Sequence, residues 1–306
     1  MTLRFGLFGT GYWARTTHGA ALVAHPSVQL VGVWGRDPAK TAELAERFDV
    51  PAYAEVDDLI ADVDAVAVAL PPDIQAGIAA RAAEAGRHLL LDKPLAFTLE
   101  DADRIVAAVD RHGLASRVLF TNRYHGNVAA FLADAAAKGR DGGWDGSRVT
   151  MLASIFQPGS PYAGSAWRRQ RGGLWDVGPH ALSVIVPVLG PVAEVSAVDG
   201  PHATSHLLLR HASGAVSMVT LSLDTPPAAV GSEVLFYGAA GTAAVPGGDA
   251  GPVVACGTAI SQLVADVEAG RVGAPCDVRF GREVLTVLLA ADESRHLARR
   301  VAPTSR

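Results

Sequence analysis

The chain has 306 residues, 49% of them hydrophobic and 19% charged, which is enough apolar material for a large core and excludes a disordered chain. A formal net charge of -5 gives no electrostatic reason for a nucleic-acid partner. The only cysteines, Cys256 and Cys276, are too few for a disulfide framework or a metal cluster, so no metal is expected.

The length suggests two domains. The first residues lead straight into an apolar run with no basic leader. No unbroken apolar window of about 18 residues follows. Neither a signal peptide nor a membrane span is expected, and the cytoplasm is the expected location.

In chain order, Leu3–Phe8 reads as a buried parallel strand ended by Gly9. A helix is expected over residues 13–25 and a second strand over Val28–Trp34. Pro38–Phe48 follows as a helix, with Asp37 at its N-cap and Pro38 in its first turn. Residues 64–70 form a third strand stopped by Pro71 and Pro72, and residues 74–85 a helix closed by Gly86. His88–Leu91 is a fourth strand. Residues 98–112 form a helix whose Thr98 and Asp101 are spaced like a capping box, and residues 117–121 one more strand. This alternation predicts a doubly wound parallel sheet, an α/β Rossmann domain over residues 1–121.

Beyond Tyr124 the texture changes. A helix is expected over residues 128–138. Runs at 148–156, 193–198, 204–210, 216–223 and 233–237 alternate in polarity between turn residues. They predict a C-terminal α+β domain, residues 122–306, with a large, mostly antiparallel sheet. Residues 238–251 read as an exposed loop, and a helix over 282–299 closes the chain.

Gly9-Thr10-Gly11-Tyr12-Trp13-Ala14 fits G-x-G-x-x-A. Gly9 permits the tight turn, Gly11 lets backbone approach a pyrophosphate, and Ala14 lets helix and strand pack closely. The helix that opens there presents N–H groups to phosphate. A strand before and a helix after are the context that makes this pattern specific for a dinucleotide.

About 20 residues on, where NAD binders carry an acid for the ribose 2′-hydroxyl, Gly35 stands, followed by Arg36. A guanidinium suits a 2′-phosphate, so NADP is favoured over NAD. A two-residue slip in register would instead make Asp37 the ribose ligand.

Three motifs in order, the glycine turn, Leu91-Asp92-Lys93-Pro94 and Gly172-Gly173-Leu174-Trp175-Asp176-Val177-Gly178-Pro179-His180, resemble those of the Gfo/Idh/MocA oxidoreductases. Asp92 replaces the Glu of that family's E-K-P. The resemblance spans nearly the whole chain. It implies a cofactor site of Gly9, Thr10, Gly11, Tyr12, Trp13, Gly35, Arg36, Leu70, Pro71, Gln75, Asp92, Lys93, Pro94 and Arg123. It also implies a cis bond before Pro94 and pairing of subunits into a homodimer or homotetramer through the C-terminal sheet.

Lys93 follows an apolar strand, at the end where open α/β sheets place ligands. Asp176 and His180 are four apart and share a helix face. Histidine suits proton removal from an alcohol near neutrality. The expected reaction is hydride transfer between NADP and a hydroxyl or carbonyl carbon of a sugar, cyclitol or related small molecule. The nucleotide binds first, His180 acts as base, Lys93 stabilises charge on oxygen, and Asp176 orients the substrate.

Two departures stand out: Gln75 where many members have His, and Ser183 where Asp is frequent. Trp167 and Arg168 precede the catalytic helix as substrate-contact residues. Arg168, Arg169 and Arg171 either bind an acidic group of the substrate or reflect an arginine-rich composition. Two other readings of the same motifs are a non-catalytic NADP sensor and a C=C or imine reductase.

Overall fold

In the computed structural model, which describes residues 2–304, the elements run in chain order as follows. The first stretch holds β1 (Leu3–Phe8), α1 (Gly19–Ala24), β2 (Val28–Trp34), α2 (Pro38–Phe48), β3 (Ala52–Tyr53), α3 (Val56–Ala61), β4 (Ala65–Val68), α4 (Pro72–Glu84), β5 (His88–Leu91), α5 (Leu99–His112) and β6 (Ser116–Val118). Then come α6 (Gly126–Arg140), β7 (Gly146–Leu152), α7 (Ala166–Asp176), α8 (Gly178–Leu189), β8 (Val192–Gly200), β9 (Thr204–His211), β10 (Val216–Ser222), β11 (Gly231–Gly238) and β12 (Gly241–Ala244). The chain ends with α9 (Pro252–Glu268) and α10 (Val278–Leu297).

Two compact units result. The first takes the chain up to Tyr124 and then Ala250–Arg282; the second takes His125–Asp249 and the residues from Glu283 on. The expected division at 121/122 therefore misses a return. Helix α9, expected in the C-terminal domain, packs in the first unit against α1, β5 and β6. Its apolar face fits any sheet that lacks a cover, and sequence order does not say which. Arg117 on β6 fixes the choice. Its buried guanidinium pairs with buried Asp266 on α9 and donates to the Pro275 carbonyl at 2.8 Å.

The first unit's sheet runs β3-β2-β1-β4-β5-β6 with every pairing parallel, as expected. Strand order reverses between β1 and β4, the position where such sheets bind ligands. The β4 sequence Ala-Val-Ala-Val is wholly buried, which explains its lack of alternation. Asp37 caps α2 by accepting from the N–H groups of Ala39 and Lys40, and Thr98 caps α5 by accepting from Asp101 N–H at 3.1 Å.

The expected helix over 13–25 is continuous over residues 12–24, but Ala14–His18 is wound as a π-helix. Gly19 N–H bonds the Ala14 carbonyl, and the Thr16 hydroxyl takes the Tyr12 carbonyl at 2.8 Å. That side-chain bond competes with the ordinary α-helical ladder.

The second unit's sheet runs β12-β11-β7-β10-β9-β8, antiparallel except for the β7–β10 pair. Strand β12 falls inside the expected loop 238–251. Helix α8 is apolar around most of its surface and packs on β7 and β10, covering one sheet face. The stretch Ala166–Leu189 is long and apolar enough to cross a membrane, the one such stretch among the described residues. Its apolar 18-residue window is 78% buried within the protein, as a core helix is. The opposite sheet face exposes Val198 (63%), Leu208 (49%) and Met218 (47%).

A buried chain of hydrogen bonds crosses the second unit. Ser147 Oγ donates to Ser217 Oγ, which donates to His211 Nε2, whose Nδ1–H reaches the Gly190 carbonyl at 2.7 Å. Those partners fit a neutral imidazole. Burial lowers the pKa of His211, partly opposed by the Gly190 carbonyl. Burial likewise lowers His18, opposed by the Asp92 charge and the Trp13 backbone, and His88, opposed by Asp64.

Each of these groups binds a proton more weakly folded than unfolded. Their stabilisation is complete above the unfolded value of about 6.5 and is lost as pH falls below it. Denaturation midpoints measured from pH 7.5 to pH 5.5 should therefore fall; a flat or rising profile contradicts this.

Candidate active site

The nucleotide half lies at the switch point. Gly9 N–H bonds the Trp34 carbonyl at 2.8 Å, and Ala69 N–H bonds the Phe8 carbonyl at 2.9 Å, so the turn sits between β2 and β4. Gly9 has φ of 126°, and a Cβ there would lie 2.5 Å from the Ala69 carbonyl oxygen. Only glycine fits. A Cβ on Gly11 would meet nothing within 4 Å, so the backbone faces open space on the side a pyrophosphate needs. Thr10 and Tyr12 flank it, while Trp13 and buried Ala14 enter the helical stretch. Leu70 packs beside Gly9, and Pro71 is the N-cap of α4.

At the end of β2, a Cβ on Gly35 would sit 2.5 Å from Thr10 Cγ2 and 2.9 Å from Thr41 Oγ1. The glycine turn itself leaves no room for an acid at 35. Arg36 is exposed, and the Asp37 carboxylate is engaged as the cap of α2.

Lys93 rides on the turn after β5, the strand next to β4 in the sheet. The Lys93–Pro94 bond is cis. The Lys93 N–H donates to Asp92 Oδ1 at 2.8 Å. Gln75 does not reach out to solvent. It is fully buried and bonds the backbone of residues 92–95. Arg123 lies in a 3₁₀ turn, its guanidinium over the Phe280 ring at 5.9 Å.

In the second unit, α7 breaks at Gly172 (φ 68°, ψ -162°) and ends at Asp176; His180 lies in the first turn of α8. Only Val177 separates the helices, in αR geometry, with Val177 N–H bonded to the Gly173 carbonyl and Ala181 N–H to the Val177 carbonyl. Asp176 and His180 are therefore about one helical turn apart, although two helices carry them. Ser183 Oγ donates to the His180 carbonyl at 2.8 Å.

Trp175 is wholly buried, and its Nε1–H donates to Asp292 at 2.8 Å, anchoring α7 beside the carboxylate it precedes. Arg168 Nε lies 3.1 Å from Asp176 Oδ2, and its guanidinium stacks over Tyr162 (4.6 Å) and Trp167 (4.4 Å). Arg169 binds the Ala163 carbonyl and lies over Phe156, whereas Arg171 pairs with Asp292 and lies over Trp175. All three guanidinium groups thus have protein partners, and that of Arg168 is Asp176 of the candidate catalytic pair.

Residues 3–120 match the model of an oxidoreductase family with an NAD-binding Rossmann fold, Gfo/Idh/MocA. Over those residues the chain is similar to the Gfo/Idh/MocA oxidoreductases. A dTDP-3,4-didehydro-2,6-dideoxy-alpha-D-glucose 3-reductase of Streptomyces antibioticus is 29% identical over 254 residues, 78% of this chain and 74% of that enzyme. Among solved structures, a levoglucosan dehydrogenase in complex with NADH and levoglucosan superposes with a TM-score of 0.87 at 21% identity, over 100% of both chains. The WlbA dehydrogenase from Bordetella pertussis, in complex with NADH and UDP-GlcNAcA, gives 0.85 at 23% identity, again over 100% of both chains. At these identities the structures establish the fold.

The sequence motifs gather in two places. The glycine turn, Gly35, Leu70, Pro71 and the Asp92-Lys93-Pro94 turn lie at the strand ends of the first unit. Trp167, Arg168, Asp176 and His180 lie on α7 and α8 of the second. Sequence reasoning missed the grip of Gln75 on the Lys93 turn and the pairing of Arg168 with Asp176. The first spans 17 residues or more of chain, and the second crosses the helix break at Gly172. The one available signal was an amide standing where the family pattern has a histidine.

Proposed function

We propose that this oxidoreductase uses NADP and acts at a hydroxyl or carbonyl carbon of a sugar, cyclitol or related polyhydroxylated compound. The observation that carries the reading is Lys93, a cation on the strand end next to the switch point, where the reactive end of a dinucleotide is expected. The relatives named for a dTDP-linked deoxyglucose and for levoglucosan support a hydroxylated ring as the substrate.

When bound, the nicotinamide accepts or returns the hydride. His180 takes the hydroxyl proton in the oxidising direction and returns it in the reducing one. Lys93 holds its positive charge toward the substrate oxygen, where negative charge develops. Asp176, kept in place by Arg168, accepts a neighbouring hydroxyl.

Preference for NADP is supported by the absence of room for an acid at Gly35, the exposure of Arg36 and the use of Asp37 as a helix cap. Arg36→Ala should weaken NADPH binding roughly 10- to 100-fold, the range for a hydrogen bond to a charged group, and leave NADH binding within about twofold. Fluorescence titration with both nucleotides reads this. Equal losses on both would remove the phosphate assignment.

The apolar outer face at Val198, Leu208 and Met218 is the expected contact with a second copy of the chain. Sedimentation should show a dimer or larger assembly that Leu208→Asp weakens; a monomeric wild type contradicts it.

A further inference from the structure

Gln75 stands in the first turn of α4, and its side chain is wholly buried. Its Oε1 accepts from Asp92 N–H at 2.8 Å. Its Nε2 shares two hydrogens among the carbonyls of Asp92 (2.8 Å), Pro94 (3.1 Å) and Leu95 (3.2 Å). These partners fix the orientation of the amide, because an N–H must face its oxygen and carbonyls must face its nitrogen. One side chain therefore satisfies both polar groups of the residue before Lys93 and the carbonyls of the two residues after it.

A helix cannot make these bonds for a turn at a strand end, and no water is needed to complete them. An amide does this without titrating, so the grip is the same at every working pH. A carboxylate would lose the donor half, and an apolar side chain would take the amide donor from three carbonyls and leave Asp92 N–H with the Val68 carbonyl alone.

We propose that Gln75 is a positioning residue: it holds the Asp92–Leu95 backbone so that the Lys93 ammonium points to one place. The inference rests on the reading of Lys93 as the group that meets the substrate oxygen. It adds that the site's cation is aimed from α4 and not by its own strand alone.

Lys40, Lys93 and Lys138 are the only lysines, so dimethylation with ¹³C gives a lysine spectrum of three side-chain signals. Lys40 and Lys138 are exposed surface residues and serve as internal controls. In Gln75→Met, and more mildly in Gln75→Asn, which falls one methylene short, the Lys93 signal should shift or broaden while the controls stay in place. The milder variant keeps the test valid if the first folds poorly.

In unlabelled protein, kcat should fall on the order of 10²-fold, the scale of a 1 Å misplacement, with the nucleotide dissociation constant nearly unchanged. The loss should vanish in a Lys93→Met background, as coupled residues require. An unmoved Lys93 signal, or an equal loss in both backgrounds, overturns the proposal. If the wild type turns over no polyol or sugar, the functional reading fails by itself, and the Lys93 signal alone decides whether Gln75 aims it.

Discussion

Replacing His180 by alanine should lower kcat by about 10²–10⁴, the usual contribution of a positioned general base. Nucleotide affinity should stay within about threefold, because the glycine turn and Arg36 belong to the other unit. The imidazole stands in the first turn of α8, a helix held by a nearly continuous buried surface. Ser183 bonds the His180 carbonyl and Asp176 lies one turn before it, so the backbone survives removal of the ring. Without the ring, the hydroxyl proton must pass to water. Steady-state kinetics with added imidazole checks this: free imidazole should restore part of the rate. A variant within about fivefold of wild type would favour imine or C=C reduction, which needs no base at that position.

Asp266→Ala should destabilise the protein by about 3–5 kcal/mol, the range for breaking a buried ion pair. Arg117 and Asp266 are both buried, and Asp266 also holds Arg271 at 3.1 Å. Removing the carboxylate leaves the buried Arg117 guanidinium bonded to the Pro275 carbonyl with no opposing charge from Asp266. Replacing both partners, Arg117→Met with Asp266→Leu, should recover most of the loss, since an apolar pair of similar volume leaves no orphaned charge. Urea denaturation measures both. A single-variant loss under about 1 kcal/mol would mean that α9 is held by its apolar face alone.

That ion pair also marks where the sequence stops being informative. The first unit's strands were readable because a parallel sheet covered on both faces requires near-continuous apolar runs, and apart from Arg4, Gln29 and His88, β1, β2 and β5 are such runs. Asp37 and Thr98 were readable as caps because capping is local, within three residues. Helix α9 was not. Its attachment depends on Arg117 meeting Asp266, 149 residues apart, and no local pattern records that. The two-residue strand β3 and the short α3 were missed because neither is long enough to show a period.

The site divides in the same way. Gly9, Lys93, Asp176 and His180 stood out because each sits in a motif whose spacing carries the chemistry. Gln75 was assigned to the cofactor by resemblance, whereas its amide is bonded to the Lys93 turn. Arg168 was left between substrate contact and composition. Its pairing with Asp176 depends on the break at Gly172, which brings residues eight apart together in a way an unbroken helix would not. In both cases the deciding partner lies across a turn or a tertiary contact.

The reaction proposed for this enzyme is hydride transfer between nicotinamide and a carbon bearing oxygen. Its most direct test supplies NADPH deuterated on the transferring face of C4 together with a panel of keto-sugars and keto-cyclitols, and examines the products by mass spectrometry and NMR. One deuterium is expected on the former carbonyl carbon of at least one product, with no transfer by His180→Ala above about one hundredth of the wild-type rate. Binding of the nucleotide with no deuterium delivered to any carbonyl carbon, or equal delivery by His180→Ala, would contradict it.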